Sequence, residues 1–297
     1  MVTCKITSRH TVDSLLQVYC PHSALDAAEG GLTDWLADIV TGEPATAPEH
    51  QERGEEEPAA ETEREGEYKE DGEAENDPFV DSSKRPVFML QHHPSHKLLG
   101  PNPDLLLNAV EHTREPIHPL NTPVEGHERA GAGRIVCFRQ PQALSALIER
   151  IARGVGNPKG FPIAVPQGRA VDSISISSVG ICAGSGASLL AGRDVDLLFT
   201  GELPHHEALA AIERGQCVVT LFHSNTERGF LHAVLRAQLQ ASVKEEWEAL
   251  RTELKQQLPQ DGSADDVREA LDDGSVVVDC SERDRDPYGI VISKAEA

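Results

Sequence analysis

An apolar run, Cys217-Val218-Val219-Thr220-Leu221-Phe222, ends at His223, and Glu227 follows four residues later where a helix begins. A spacing of i, i+4 sets both side chains on one helical face, close enough to share a cation. Imidazole with carboxylate suits zinc, iron, manganese or nickel better than calcium. The plainer alternative is a strand-end histidine beside a glutamate that only complements the helix dipole. A second group lies far upstream, where Tyr19-Cys20-Pro21-His22 runs from an apolar stretch into a loop carrying Asp26, with Gly30 and Gly31 behind it. Asp26 reads either as a carboxylate for a second or bridging ion or as a residue that turns the chain. His22 reads as a ligand or as a hydrogen-bond donor behind one.

A third group, Thr200-Gly201-Glu202-Leu203-Pro204-His205-His206, again falls at a strand end. Open α/β sheets place their sites in loops at the carboxyl ends of the strands. Glu202, His205 and His206 are therefore candidates for moving protons or orienting a substrate. Gly184-Ser185-Gly186 matches neither a phosphate loop, nor a dinucleotide fingerprint, nor a nucleophile elbow, and reads as a tight turn.

Elements that alternate in type must hold these groups. Leu32, Trp35, Leu36 and Ile39 recur at helical spacing, with Thr33 or an earlier polar residue to cap the helix and Gly42 to end it. Strand signals fall at 134–138, 162–165, 172–183, 195–200, 218–222 and 275–278. Helical runs fall at 144–151, 188–190 and 207–214, and a long one carries an apolar stripe from Phe230 through Leu239, Val243, Trp247, Leu250 and Leu254 to Leu258. Strands alternating with helices predict an α/β fold, with mixed or parallel sheets covered by helices.

The chain has 297 residues and a formal charge of −22, and the charge is concentrated. Residues 43–81 hold sixteen Asp or Glu against three Lys or Arg, a net of −13, leaving −9 for the rest. Such a stretch cannot bury enough apolar surface to offset the entropy of ordering. From 82 to 130, prolines interrupt every pattern. The division is therefore residues 1–42, a largely disordered acidic and Pro-rich insertion or linker at 43–130, and an α/β unit at 131–297.

The acidic balance argues against nucleic-acid binding. No apolar run of roughly 18 residues is present to span a membrane. The six cysteines lie far apart with no CxxC, and Cys137, Cys182, Cys217 and Cys280 sit in or beside apolar runs. They read as free buried thiols of a reducing compartment, which predicts a cytoplasmic protein, with nucleus and mitochondrion left open.

Taken in order, PHSALDAAEGGLTDWLADI, GICAGSGASLLAGRDVDLLFTGELPHHEALAAIERG, VVTLFHSNTERGFL and VVVDCSERDRDP resemble the NGG-interacting factor three family, also described as GTP cyclohydrolase I type 2-like proteins. The resemblance covers roughly residues 11–42 and 131–293. It implies two similar α/β halves, the first truncated here, assembled as a hexameric ring of subunits that each hold two divalent transition-metal ions. It carries metal-ligand roles to Asp26, His223 and Glu227.

The family's remaining ligands, an adjacent His-His pair at a strand end upstream of the Asp motif, find no match, since 25 residues precede Asp26. Gln91-His92-His93-Pro94 falls after Asp26, inside the insertion. With three ligands left, a dinuclear site would be under-coordinated and its metal affinity weak. The resemblance implies a metal-dependent hydrolase, with opening of the guanine ring of GTP as the family's label. The alternative is a non-enzymatic regulatory protein that binds a transcriptional co-regulator, with 43–81 as a contact surface.

Overall fold

The computed structural model describes residues 19–42, 87–89, 109–122, 124–259, 263–281 and 286–292. The insertion's acidic stretch, His92, His93 and the apolar run before Tyr19 lie outside them.

The central feature is a six-stranded sheet. Its strands are β2 (His112–Pro119), β3 (Gly131–Ala143), β4 (Ile163–Ala164), β5 (Ser175–Ser185), β6 (Leu197–Glu202) and β7 (Cys217–Thr220), in the order β2-β3-β5-β6-β7-β4. β5, β6 and β7 run parallel, whereas β2, β3 and β4 add antiparallel. The fold is thus α/β with a mixed sheet. A separate ladder pairs β1 (Val87–Met89) antiparallel with β8 (Ile290–Ile292).

The helices are α1 (Ser23–Ala27), α2 (Leu32–Thr41), α3 (Leu144–Gly154), α4 (Ala187–Leu190), α5 (His205–Glu213), α6 (Arg228–Phe230), α7 (Arg236–Gln257) and α8 (Asp265–Ala270). Alternation along the parallel strands builds two cores. Val179, Ile181, Leu197, Phe199, Cys217 and Val219 face α2, α3 and the Phe230–Val234 turn. Cys182, Leu198 and Val218 point the other way, toward Leu190 of α4 and Ala211 of α5. In this structure α2 packs on the same sheet as α3, so residues 19–42 share the core of the 131–297 unit.

Close helix packing rests on Gly154, where an added Cβ would lie within 3.0 Å of the Ile39 side chain of α2. Gly154→Ala is therefore expected to destabilise by about 1–3 kcal/mol through overpacking, despite the lower entropy of its unfolded chain. Denaturant unfolding checks this, and an unchanged or raised midpoint would refute it.

Several expectations are corrected. β2 falls inside the Pro-rich stretch expected to be irregular, and it tolerates Pro116 and Pro119 because it is the outermost strand, where a missing N–H costs no ladder bond. Residues 275–278 form no strand. They run beside α7, whose Gln240 side chain donates to the Val276 carbonyl and accepts the Val278 N–H (2.7 Å), the bonds a neighbouring strand would otherwise make.

The apolar stripe of the long helix is buried only at its start, at Phe230 and Val234, while Leu239, Val243, Leu250 and Leu254 of α7 are exposed. Cys137 is exposed because Val136 and Phe138 take the core side of β3. Thr33 does not cap α2: its hydroxyl donates to the Asp26 carbonyl (2.8 Å), and Asp34 accepts the Gly30 N–H instead (2.9 Å). Gly42 does end that helix, at φ 75°.

Candidate metal centre at the carboxyl ends of the parallel strands

Parallel pairing brings the ends of β5, β6 and β7 to one edge, so Gly184, Glu202 and His223 meet although the sequence scatters them over about forty residues. At that edge the chain leaves β7 through Phe222, which takes φ 65°, an uncommon conformation for a bulky residue. A short 3-10 turn, Ser224–Thr226, then carries the chain from His223 to Glu227. Four bonds fasten it. Thr226 Oγ1 donates to the His223 carbonyl (2.7 Å) and accepts the Gly184 N–H (2.8 Å). Asn225 Nδ2 donates to the Leu221 carbonyl (2.8 Å). The Ser224 N–H donates to Asp286 (3.1 Å), a buried carboxylate that also accepts the Tyr288 N–H (3.0 Å).

Both nitrogens of His223 face carboxylates. Nε2 lies 3.2 Å from Glu227 Oε1, and Nδ1 lies 3.0 Å from Glu202 Oε1. Gly184 backs the pair. Its carbonyl accepts from the Thr200 hydroxyl (3.1 Å), its φ is +59°, and an added Cβ would stand 3.0 Å from both Glu227 Oε1 and His223 Nε2. The glycine therefore leaves a cradle between an imidazole nitrogen and a carboxylate oxygen, and that donor set suits a divalent transition metal.

Asp26 of α1 reaches the same neighbourhood electrostatically. Burial pushes its carboxyl up, and His22 and His223 offset part of that rise. Glu227 is raised too, first by burial; His223 opposes this and the Asp26 charge adds to it. Burial, helped by these two carboxylates, lifts the Cys182 thiol to about 11. Two half-buried carboxylates that repel each other are what a shared cation would relieve. Still, among the described residues no group of three or more His, Cys, Asp or Glu side chains stands assembled to hold a metal ion. The structure thus joins His223, Glu227 and Glu202 directly and sets Asp26 and His22 within electrostatic range.

His205 and His206 are not joined to this cluster. Both are exposed at the start of α5, with rings edge-on and 5.4 Å apart, and no hydrogen bond or ion pair among the described residues joins them to His223. Thr200, Thr226 and Asp286 were not legible as site residues. A threonine or aspartate whose partner lies dozens of positions away leaves no local signal. Gly184 was visible, but only as a turn.

Fold and site define an α/β protein with an imidazole–carboxylate cluster at the carboxyl ends of its parallel strands. The family model Duf34/NIF3 (NGG1p interacting factor 3) matches residues 6–257, and the chain belongs to that family. It is similar to NIF3-like protein 1 of Rattus norvegicus, 30% identical over 237 residues that cover 74% of this chain and 61% of the relative. NGG1-interacting factor 3 of Saccharomyces cerevisiae is 28% identical over 227 residues, covering 76% of this chain and 56% of the relative. Protein NIF3 homolog of Schizosaccharomyces pombe is 42% identical over 119 residues, 40% of this chain and 41% of the relative. This chain thus matches between 41% and 61% of the length of these three relatives. A solved Bacillus cereus protein related to NIF3 aligns with a TM-score of 0.34 at 20% identity, over 40% of this chain and 32% of that one. Among the described residues no helix is long and apolar enough to cross a membrane.

Proposed function

We propose that this chain is a metal-dependent hydrolase whose cation is held by His223 Nε2 and the carboxylates of Glu227 and Asp26. One observation carries the reading: His223 Nε2 and Glu227 Oε1 stand 3.2 Å apart, facing the space that a side chain on Gly184 would fill. When bound, such an ion lowers the pKa of a coordinated water and polarises a carbonyl or phosphoryl oxygen.

The chain's own residues do the rest. Thr200 and Thr226 pin Gly184 so that its backbone stays clear of the donors. Glu202 Oε1 lies 3.0 Å from His223 Nδ1, at the ring nitrogen that does not face Glu227. Asp26 supplies the second negative charge that draws a dication into a half-buried site. Zinc, iron, manganese and nickel all fit these donors. A second ion in each subunit and a homo-oligomeric assembly belong to the same proposal.

The test is metal analysis of the purified protein, with zinc and manganese titrations and a hydrolysis screen over nucleotides and small esters. Bound transition metal that His223→Ala and Glu227→Ala both remove is the expected result. If neither metal binds, or if His223→Ala keeps full occupancy, the reading falls. The name of the yeast relative, NGG1-interacting factor 3, favours a second reading, a non-enzymatic protein that acts by binding another protein. The donor cluster favours the first, because a contact surface has no need of a strained loop that aims an imidazole at a carboxylate.

A further inference from the structure

We propose that the exposed apolar stripe of α7 is a docking surface for a partner protein's amphipathic helix that carries Lys or Arg along one edge. The surface shares no residue with the donor cluster and does not rest on the metal reading. Leu239, Val243, Leu250 and Leu254 stand four, seven and four residues apart, which places them on one helical face. Each is 36–46% exposed, so the stripe lies open to solvent for about 22 Å at 1.5 Å per residue. A contiguous apolar stripe rimmed by polar residues marks an interaction surface.

The two edges of the stripe differ. On one edge Gln240, Trp247 and Arg251 are occupied by the chain at 271–278. Gln240 holds the 276–278 backbone, Trp247 Nε1 donates to the Asp273 carbonyl (3.1 Å), and Arg251 Nη1 donates to the Leu271 carbonyl (3.1 Å). The other edge carries Glu246 and Glu253, both exposed. Glu253 accepts from Gln257 Nε2 (3.0 Å), and among the described residues no ion pair engages either carboxylate. The free surface is therefore an apolar stripe with one acidic border.

Charge selects the occupant. A second copy laid antiparallel matches the stripe to itself about a two-fold axis between Glu246 and Trp247. Such an axis sets Glu246 of one copy beside Glu246 of the other, and like charges there oppose pairing. A parallel copy brings the acidic border to the edge already taken by 271–278. The chain's own acidic stretch, 43–81, is repelled by the same glutamates. A helix with apolar residues at the same spacing and cations along the facing edge satisfies both the stripe and its border.

The test uses the full chain and two synthetic helical peptides of about 20 residues, enough to span the stripe. Both carry leucines at the stripe's spacing; one has lysines along an edge and the other glutamates at the same positions. Fluorescence anisotropy should show the lysine-edged peptide binding at least about tenfold more tightly, with a preference that shrinks at high salt. Val243→Ser with Leu250→Ser should weaken that binding more than about tenfold. Both positions are exposed, so the fold should survive, and thermal unfolding checks it. Glu246→Lys with Glu253→Lys should reverse the choice between the peptides. Equal binding of the two peptides, binding indifferent to the serine substitutions, or no binding at all overturns the proposal. Sedimentation of the chain alone supplies the other arm: self-association that the serine substitutions abolish gives the stripe to a second copy and overturns it too.

Discussion

Asp34→Ala should cost about 3–5 kcal/mol of stability, the usual penalty for stripping one partner from a buried ion pair. Arg134 is 2% exposed and is fully committed. Its Nε and Nη2 donate to the two carboxylate oxygens of Asp34 (2.7 and 2.8 Å), and Nη1 donates to the carbonyls of Gly131 and Gly133 (2.6 and 2.8 Å). Nη2 also reaches the Ala28 carbonyl (3.3 Å), which ties the α1–α2 turn to β3. Removing Asp34 leaves a guanidinium buried with only carbonyls for company. Denaturant unfolding measures the loss, and a change below about 1 kcal/mol would mean that water replaces the carboxylate at little cost.

The same pair predicts a pH dependence. Burial alone pushes the Asp34 carboxyl up, but the hydrogen bonds and charge of Arg134, the Gly30 N–H and Arg114 outweigh it, holding the group below its ordinary 3.8. A carboxyl lowered in the folded state stabilises fully above its ordinary value, and that stabilisation is lost as pH falls through the lowered one. The unaltered protein should therefore lose stability more steeply below about pH 4 than Asp34→Ala does.

The second large effect falls on the cradle. Gly184→Val should remove cation binding, and Gly184→Ala should weaken it by more than about tenfold, with less damage to the fold than to the site. Two causes add. A side chain at φ +59° costs roughly 1–2 kcal/mol for an L-residue. Its Cβ would also stand 3.0 Å from both His223 Nε2 and Glu227 Oε1, the place proposed for the ion, so these two groups must spread apart. Zinc titration alongside thermal unfolding separates the two. A Gly184→Val protein that binds zinc as the unaltered one does would place the ion elsewhere or nowhere.

Much of this molecule was readable along the chain. Alternation in 175–185, 197–202 and 217–220 marks three buried strands, because side chains on a pleated strand must face opposite layers and both layers here are core. The His223/Glu227 pair was legible because its geometry is local, set by a turn of four residues. The lower half of the long helix failed for the complementary reason. A periodic stripe shows that a helix can bury a face, while nothing in the period shows whether anything covers it; beside α7 lies an irregular strand of chain held by Gln240 and Trp247.

By itself, then, the sequence determined most of the element types and one side-chain pair, both properties of neighbours within a few residues. Only the tertiary structure decided which strand edges meet. With that came the carboxylate on Nδ1, the glycine that leaves room beside Nε2, the buried Arg134–Asp34 pair and the enlistment of β2 as the outer strand. Those depend on distances across the sheet between residues far apart in the chain, and the free energy that selects them comes from packing the whole core rather than from any local preference.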